Sequence, residues 1–454
     1  MDVIEAGTPV NSEEELESVR KIAREGLNAE VCAFSRMRRE DIDAAVASEA
    51  DAVHLVIPAS ELHIRKKLRM TPEELLTAAQ EITEYARDSG LRVEAGFEDA
   101  SRAEMEFLLE LGKTVAESGA ERICYCDTVG VATPEKIRED FESLLYLNTP
   151  LSIHCHNDFG LATINSIEAL KSGATEVHTT VNGLGERCGN APFEEVVMVL
   201  EELYGVKTGI KVEMLYELSK KVSRITGVSI PPNKAVVGKN AFTHESGIHV
   251  DGLLKDPRTY EPYPPERVGR ERSIVIGKHA GRRALEAILR ENGIELSEEQ
   301  LQKVYQEFRR TAAKGGQMYL SDLLSLAESL TGKKSERELR LEELTVVCGN
   351  RITPTATVRL RINGDEVMVA STGVGPVDAA IKAIERGVRN AKVELEEYHV
   401  DAITGGTDAF VDVTVKLRKG ERTVLSSAAG KDIVLASVEA FLEGLNRLVS
   451  RGGS

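Results

Sequence analysis

The sequence predicts an α/β chain: a (β/α)8 barrel of the TIM type whose first βα unit is absent, a helical linker region, and a C-terminal α+β domain. Three observations predict it. Seven short apolar, β-branched runs alternate with amphipathic stretches through the first ~200 residues. Polar residues gather at the C-terminal ends of many of those runs. The last third of the chain changes character and carries an internal repeat.

The seven runs are "DVIEAG" (2–7), "NAEVCAF" (28–34), "DAVHLVIP" (51–58), "LRVEAGFED" (91–99), "ERICYCDT" (121–128), "LSIHCH" (151–156) and "EVHTTVNG" (176–183). Between them, "TPEELLTAAQEITEYARDSG" and "TPEKIREDFESLLYL" both open with Thr-Pro-Glu. Thr serves as N-cap, Pro fits the first turn, and the acid faces the positive end of the helix dipole. Strand and helix in alternation imply a parallel sheet. Glu98, Asp127, Thr128, His156 and Asn182 fall at strand C-terminal ends, spread over several strands. That spread fits a barrel rim better than the single switch point of an open sheet. A closed barrel has eight strands, so the sequence opens one strand short.

Beyond "VSIPPNKAVVG" (228–238), Pro-Pro breaks the pattern. Helical periodicity returns at 283–293 and 297–314, and "TGKKSEREL" (331–339) reads as a linker. The expected domains are 1–227 for the barrel, 228–335 for the linker region, and 336–454 for the C-terminal domain. In the last, "TVRLRINGDEVMVASTGVGPVDAAIKAI" (357–384) parallels "TVKLRKGERTVLSSAAGKDIVLASVEAF" (414–441). Each copy reads as strand, Gly turn, strand, helix: a duplicated ββα unit.

Composition excludes several function classes. A net charge of −17 with dispersed Lys and Arg argues against nucleic acid or an anionic membrane as partner. There is no apolar run long enough to span a bilayer and no secretory signal. Six cysteines, none in a CxxC pair, read as reduced thiols in a cytoplasmic protein.

In "LSIHCHNDFG", His154 and His156 share one face of a strand. One histidine on an apolar strand is ordinarily a satisfied core residue. Two on the same face at a barrel rim point to a metal, neutral imidazole being the commonest nitrogen ligand. "GLGERCGNAP" (183–192) adds Asn190 as an oxygen ligand. Such a mixed set suits Zn²⁺, Mn²⁺ or Mg²⁺. Glu98 and Asp127-Thr128 read either as helix caps or as groups for a substrate carboxylate or hydroxyl.

These residues resemble the 2-isopropylmalate synthase, citramalate synthase and homocitrate synthase family. The motifs are "HCHNDFGLATINS" (154–166), "VHTTVNGLGERCGNAPFEEV" (177–196), "DTVGVATP" (127–134), "NKAVVGKNAFTHESGIHVDG" (233–252) and "GKHAGR" (277–282). The resemblance implies a divalent metal on His154, His156 and Asn190, and a keto-acid pocket of His54, Glu98 and Thr128. It implies a linker His and Tyr, matching His249 and Tyr260, offered to the partner's active site in a homodimer. It also implies an end-product amino acid as effector of the C-terminal domain. The family's opening strand, with a metal-binding Asp and a keto-acid Arg in a "DTTLRDGEQ"-type motif, has no match, so the chain begins at the family's second strand.

The implied reaction is a Claisen-type condensation of acetyl-CoA with a 2-keto acid, with His249 as base and Tyr260 and Glu98 assisting. Gly96, two before the pocket glutamate, faces the keto acid's side chain in the family. Its small size favours 2-ketoisovalerate, giving 2-isopropylmalate for leucine synthesis. The alternatives are pyruvate, giving (R)-citramalate for isoleucine synthesis, or a truncated, non-catalytic regulatory form. A carbon–carbon lyase fits less well, because Cys188 alone does not recreate the Gly-Cys-rich loop of such lyases.

Overall fold

The computed structural model describes residues 1–244, 249, 252–253, 255–270, 272–274, 280–291, 293–312, 323, 327, 339–362, 364–388, 393–402, 411–420 and 422–449. Its contacts divide the chain into two compact units, 1–242 with 262–272, and 243–261 with 273–454.

The first unit holds seven parallel strands in sequential order: β1 (Val3–Gly7), β2 (Glu30–Arg36), β3 (Ala52–Pro58), β4 (Arg92–Glu98), β5 (Arg122–Asp127), β6 (Leu151–Cys155) and β7 (Glu176–His178). Six fall within one of the seven apolar runs, and β2 overlaps its run and extends past it to Arg36. The sheet curls on itself: Arg122 on β5 reaches Glu30 on β2 at 2.5 Å and Glu176 on β7 at 3.4 Å. Helix starts follow the Thr-Pro-Glu signal. Thr71 and Glu74 form a capping box at Pro72–Asp88, and Thr133 caps Pro134–Leu144. β7 stops earlier than its apolar run, because Val181–Gly183 forms a 3₁₀ turn with Asn182 at φ 63°.

The strands alternate with a consistent sense. On β3, Val53, Leu55 and Ile57 join Ile42, Leu75 and Leu108 of the surrounding helices in one buried apolar cluster. The intervening residues point into the hollow. Along β4 those are Arg92, Glu94, Gly96 and Glu98; along β6 and its extension, Ser152, His154 and His156. Barrel interiors are ordinarily plugged by branched apolar side chains. Here the interior is a polar ladder, and burial of apolar surface is concentrated between strands and helices.

The second unit contains a short parallel pair, β8 (Thr243–His244) and β9 (Ser273–Ile274), and helices at Arg282–Glu291 and Glu298–Ala312, close to the expected 283–293 and 297–314. Most of "TGKKSEREL" lies outside the described residues; Leu339, its last residue, starts β10. Two antiparallel sheets follow: β10 (Leu339–Gly349), β11 (Ile352–Ile362) and β12 (Asp365–Thr372), then β13 (Glu394–Ala402), β14 (Val411–Lys419) and β15 (Arg422–Gly430), each trailed by a helix. The duplicated unit is therefore βββα, not ββα. Its first strand escapes a period-2 reading because each copy is irregular at the same place: the register shifts between Leu341 and Glu343 in "LEELTV", and between Leu395 and Glu397 in "LEEYHV". Val358, Leu360, Val413, Val415 and Leu417 share one core with Ala380, Ile384 and Phe441 of the two helices.

Candidate active site

The polar ladder in the first unit has two tiers of histidine. In the lower tier Glu94, 2% exposed, is the hub. It accepts from Ser152 Oγ at 2.5 Å, His54 Nδ1 at 2.8 Å and His178 Nε2 at 3.2 Å. Among the described residues, His54, Glu94 and His178 bring their ligand atoms within 4.8 Å of one another. In the upper tier, the His154 and His156 ring centroids are 5.1 Å apart, as two same-face residues should be. The Asn190 amide donates from Nδ2 to His154 Nε2 at 3.1 Å and to the Cys155 carbonyl at 3.3 Å. His178 stands between the tiers, its ring centroid 5.4 Å from that of His54 and 5.6 Å from that of His154.

Electrostatics separate the tiers. Burial pushes the Glu94 carboxyl up, but the charge of His178 and the hydrogen bonds from His178 and His54 hold it well below the usual carboxylate range. Burial works against charge on His54, yet the Glu94 bond raises it above the ordinary imidazole value. His178 is likewise opposed by burial and still raised well above that value, through its Cys124 and Glu94 contacts. Burial, followed by repulsion from His178 and His156, holds His154 well below the ordinary value. Burial and Arg187 lower His156. The lower tier is a charged cluster around one carboxylate; the upper is a pair of neutral imidazoles. Environments that drive like groups apart in this way mark divided roles.

The upper tier fits a divalent cation. Two neutral imidazoles lie beside an amide, and His156 Nδ1 is buried with no hydrogen-bond partner among the described residues. The loop carrying Asn190 is shaped around it: a Cβ on Gly185 would stand 1.9 Å from Asn190 Oδ1. Arg187 clamps that loop, donating from Nε to Asp158 at 2.8 Å and from Nη2 to the Thr128 carbonyl at 2.7 Å.

At the rim, Thr128 Oγ1 accepts from the Asp99 amide at 2.7 Å, which leaves its own proton free to donate. Glu98 is gripped by Lys67, with Nζ 2.7 Å from both carboxylate oxygens, and His63 Nδ1 stands 3.4 Å away.

Gly96 corrects an expectation. Its missing side chain does not open space for a branched substrate. A Cβ there would lie 2.4 Å from His54 Nε2 and 2.6 Å from His54 Cε1, so the room over Gly96 is filled by the His54 imidazole. In the second unit, the His249 and Tyr260 ring centroids are 4.3 Å apart; His244, which sequence reasoning passed over, is 6.2 Å from His249. Sequence reasoning also missed Glu94, Ser152 and His178. The signal was present: an acid in mid-strand, two before Gly96, on the face that Glu98 shares.

Three family models match the chain in succession. They are HMGL-like over residues 1–222, homocitrate synthase post-HMGL domain-like over 236–316, and the LeuA allosteric (dimerisation) domain over 317–449. A protein of Methanothermobacter thermautotrophicus described as a putative (R)-citramalate synthase CimA is 52% identical over 450 residues, 99% of this chain and 91% of that one. The (R)-citramalate synthase CimA of Methanocaldococcus jannaschii is 49% identical over 454 residues, 99% of this chain and 92% of its own. A probable 2-isopropylmalate synthase of Methanopyrus kandleri is 49% identical over 457 residues, again 99% and 92%.

Proposed function

Because the chain belongs to the family of (R)-citramalate and 2-isopropylmalate synthases, acetyl-CoA-dependent condensing enzymes, we propose that it joins the acetyl group of acetyl-CoA to pyruvate, forming (R)-citramalate. The observation that carries the choice of pyruvate is the His54 imidazole seated over Gly96, where an isopropyl group would need room. Relatives described as (R)-citramalate synthases support the same choice.

In this reading His154, His156 and Asn190 hold a divalent cation, Zn²⁺, Mn²⁺ or Mg²⁺. When bound, that cation supplies Lewis-acid polarisation of the keto acid's ketone. Thr128 donates its free hydroxyl proton to the pyruvate carboxylate. His54, locked through Nδ1 by Glu94, presents Nε2 to the small substrate. Glu98 shares the Lys67 ammonium at the rim. In the homodimer that the resemblance implies, His249, beside Tyr260, acts at the partner's site: it takes a proton from the acetyl methyl, the resulting carbon nucleophile forms the new bond to the keto carbon, and the keto oxygen takes up a proton to become the hydroxyl. A positioned base of this kind contributes roughly 10²–10⁴-fold. Water then cleaves the thioester, releasing the free thiol of CoA and a second carboxylate. The duplicated βββα domain takes an amino-acid effector, isoleucine under this reading, and pairs two chains.

The second reading, 2-ketoisovalerate to 2-isopropylmalate, is favoured by the Methanopyrus kandleri relative. Thiol release from acetyl-CoA with each keto acid separates them. One methylene is worth roughly 10–200-fold in a fitted pocket. Pyruvate should exceed 2-ketoisovalerate in kcat/KM by at least about tenfold. The reverse order assigns the chain to 2-isopropylmalate synthesis.

A further inference from the structure

We infer that the basic turn following β3 is the docking point for the phosphorylated nucleotide end of the acyl donor, a coenzyme A thioester. The inference rests on the acetyl-CoA reading above. In a chain of net charge −17, the turn "ELHIRKKLRM" (61–70) places Arg65, Lys66, Lys67 and Arg69 within five residues. It is held in a defined shape. A short helical turn at Glu61–His63 runs into a π-helix at Ile64–Leu68, which ends on Arg69 in the left-handed region at φ 59°. Single π turns inside helices recur at functional sites.

The turn is stapled to the C-terminal end of β4, beside the proposed substrate pocket. Ser60 Oγ donates to Asp99 at 2.5 Å, Lys67 grips Glu98 at 2.7 Å, and His63 lies 3.4 Å from Glu98. Two of the four cations are committed: Arg65 to Glu61, and Lys67 to Glu98. Lys66 and Arg69 are exposed and make no ion pair among the described residues. A keto acid brings one carboxylate, which belongs at the polar ladder. Coenzyme A brings a pyrophosphate and a 3′-phosphate at the far end of a long neutral arm, so its cations must stand outside the pocket, at the rim. A guanidinium and an ammonium together suit phosphate, the one bidentate and the other a point charge.

The test is calorimetric titration of the full chain with adenosine 3′,5′-bisphosphate, wild type against Lys66→Gln/Arg69→Asn. Asn tolerates the left-handed backbone at 69. The variant should bind about tenfold more weakly, and the difference should shrink as salt rises from about 0.05 M to about 0.5 M. In turnover, its KM for acetyl-CoA should rise about tenfold with kcat kept, while acetyl-pantetheine kinetics stay unchanged. Equal binding of the bisphosphate by both proteins overturns the assignment, as does a loss that is the same for acetyl-pantetheine. Failure of the condensation reading looks different: no thiol release from any donor by the wild type, with the calorimetry still deciding the nucleotide site.

Discussion

Glu94→Gln is the most informative single perturbation. The carboxylate is 2% exposed and accepts three hydrogen bonds, from Ser152, His54 and His178. Gln keeps the volume, but its one oxygen cannot serve all three donors, and its NH₂ faces an N–H. The two raised imidazoles also lose their counter-charge. Removing one partner from a buried charged cluster costs about 3–5 kcal/mol. For a unit of this size, each kcal/mol shifts Tm by about 2–4 °C, so a drop of roughly 6–20 °C is expected at neutral pH. The sign with pH follows from the directions of the shifts. His54 and His178 are raised, so their contribution is complete below the ordinary imidazole value of about 6.5 and is lost as pH rises through their higher native values. Glu94 is depressed, so its contribution holds above about 4.3 and is lost as pH falls toward its native value. Scanning calorimetry of wild type and variant from pH 4 to 9 should therefore show the gap widest near about pH 5–6 and narrowing on both sides. A shift of a degree or less, or a gap independent of pH, would refute the charged-cluster account.

Three further outcomes follow from the same geometry. Gly96→Ala forces His54 aside, because its Cβ would stand 2.4 Å from Nε2; kcat/KM for pyruvate should fall by about 10²-fold, read by thiol release. Gly185→Ala displaces Asn190, and metal affinity measured by competition with a chelating dye should weaken by roughly 10–100-fold. Stripping divalent metal with a chelator should abolish condensation, and adding back Zn²⁺, Mn²⁺ or Mg²⁺ in turn should restore it and identify the cation; His154→Ala/His156→Ala should retain no stoichiometric metal by elemental analysis.

The seven strands were legible because each is short, β-branched and bounded by turn residues or helix caps, and the His154/His156 pair because strand alternation fixes its geometry without tertiary information. What was not legible depends on neighbours in space. Gly96 looked like open room until the imidazole of His54, one strand over, was seen to fill it. Glu94 and His178 are 84 residues apart and meet only because the sheet curls. β10 and β13 were hidden by a local register shift, which brings Leu344 onto the face of Leu341, and Tyr398 onto that of Leu395, although each pair is an odd three residues apart.

The alternation along these strands puts apolar packing and ionisable groups on opposite sides of the same backbone. Substitutions that retune the hollow leave the apolar contacts beneath the helices untouched, and changes beneath the helices leave the ionisable groups in place. Under the proposed reading, laboratory selection for a new keto acid should find its productive changes at inward positions that leave the Glu94 cluster intact, because those alter the hollow without disturbing either the apolar core or the buried ion cluster.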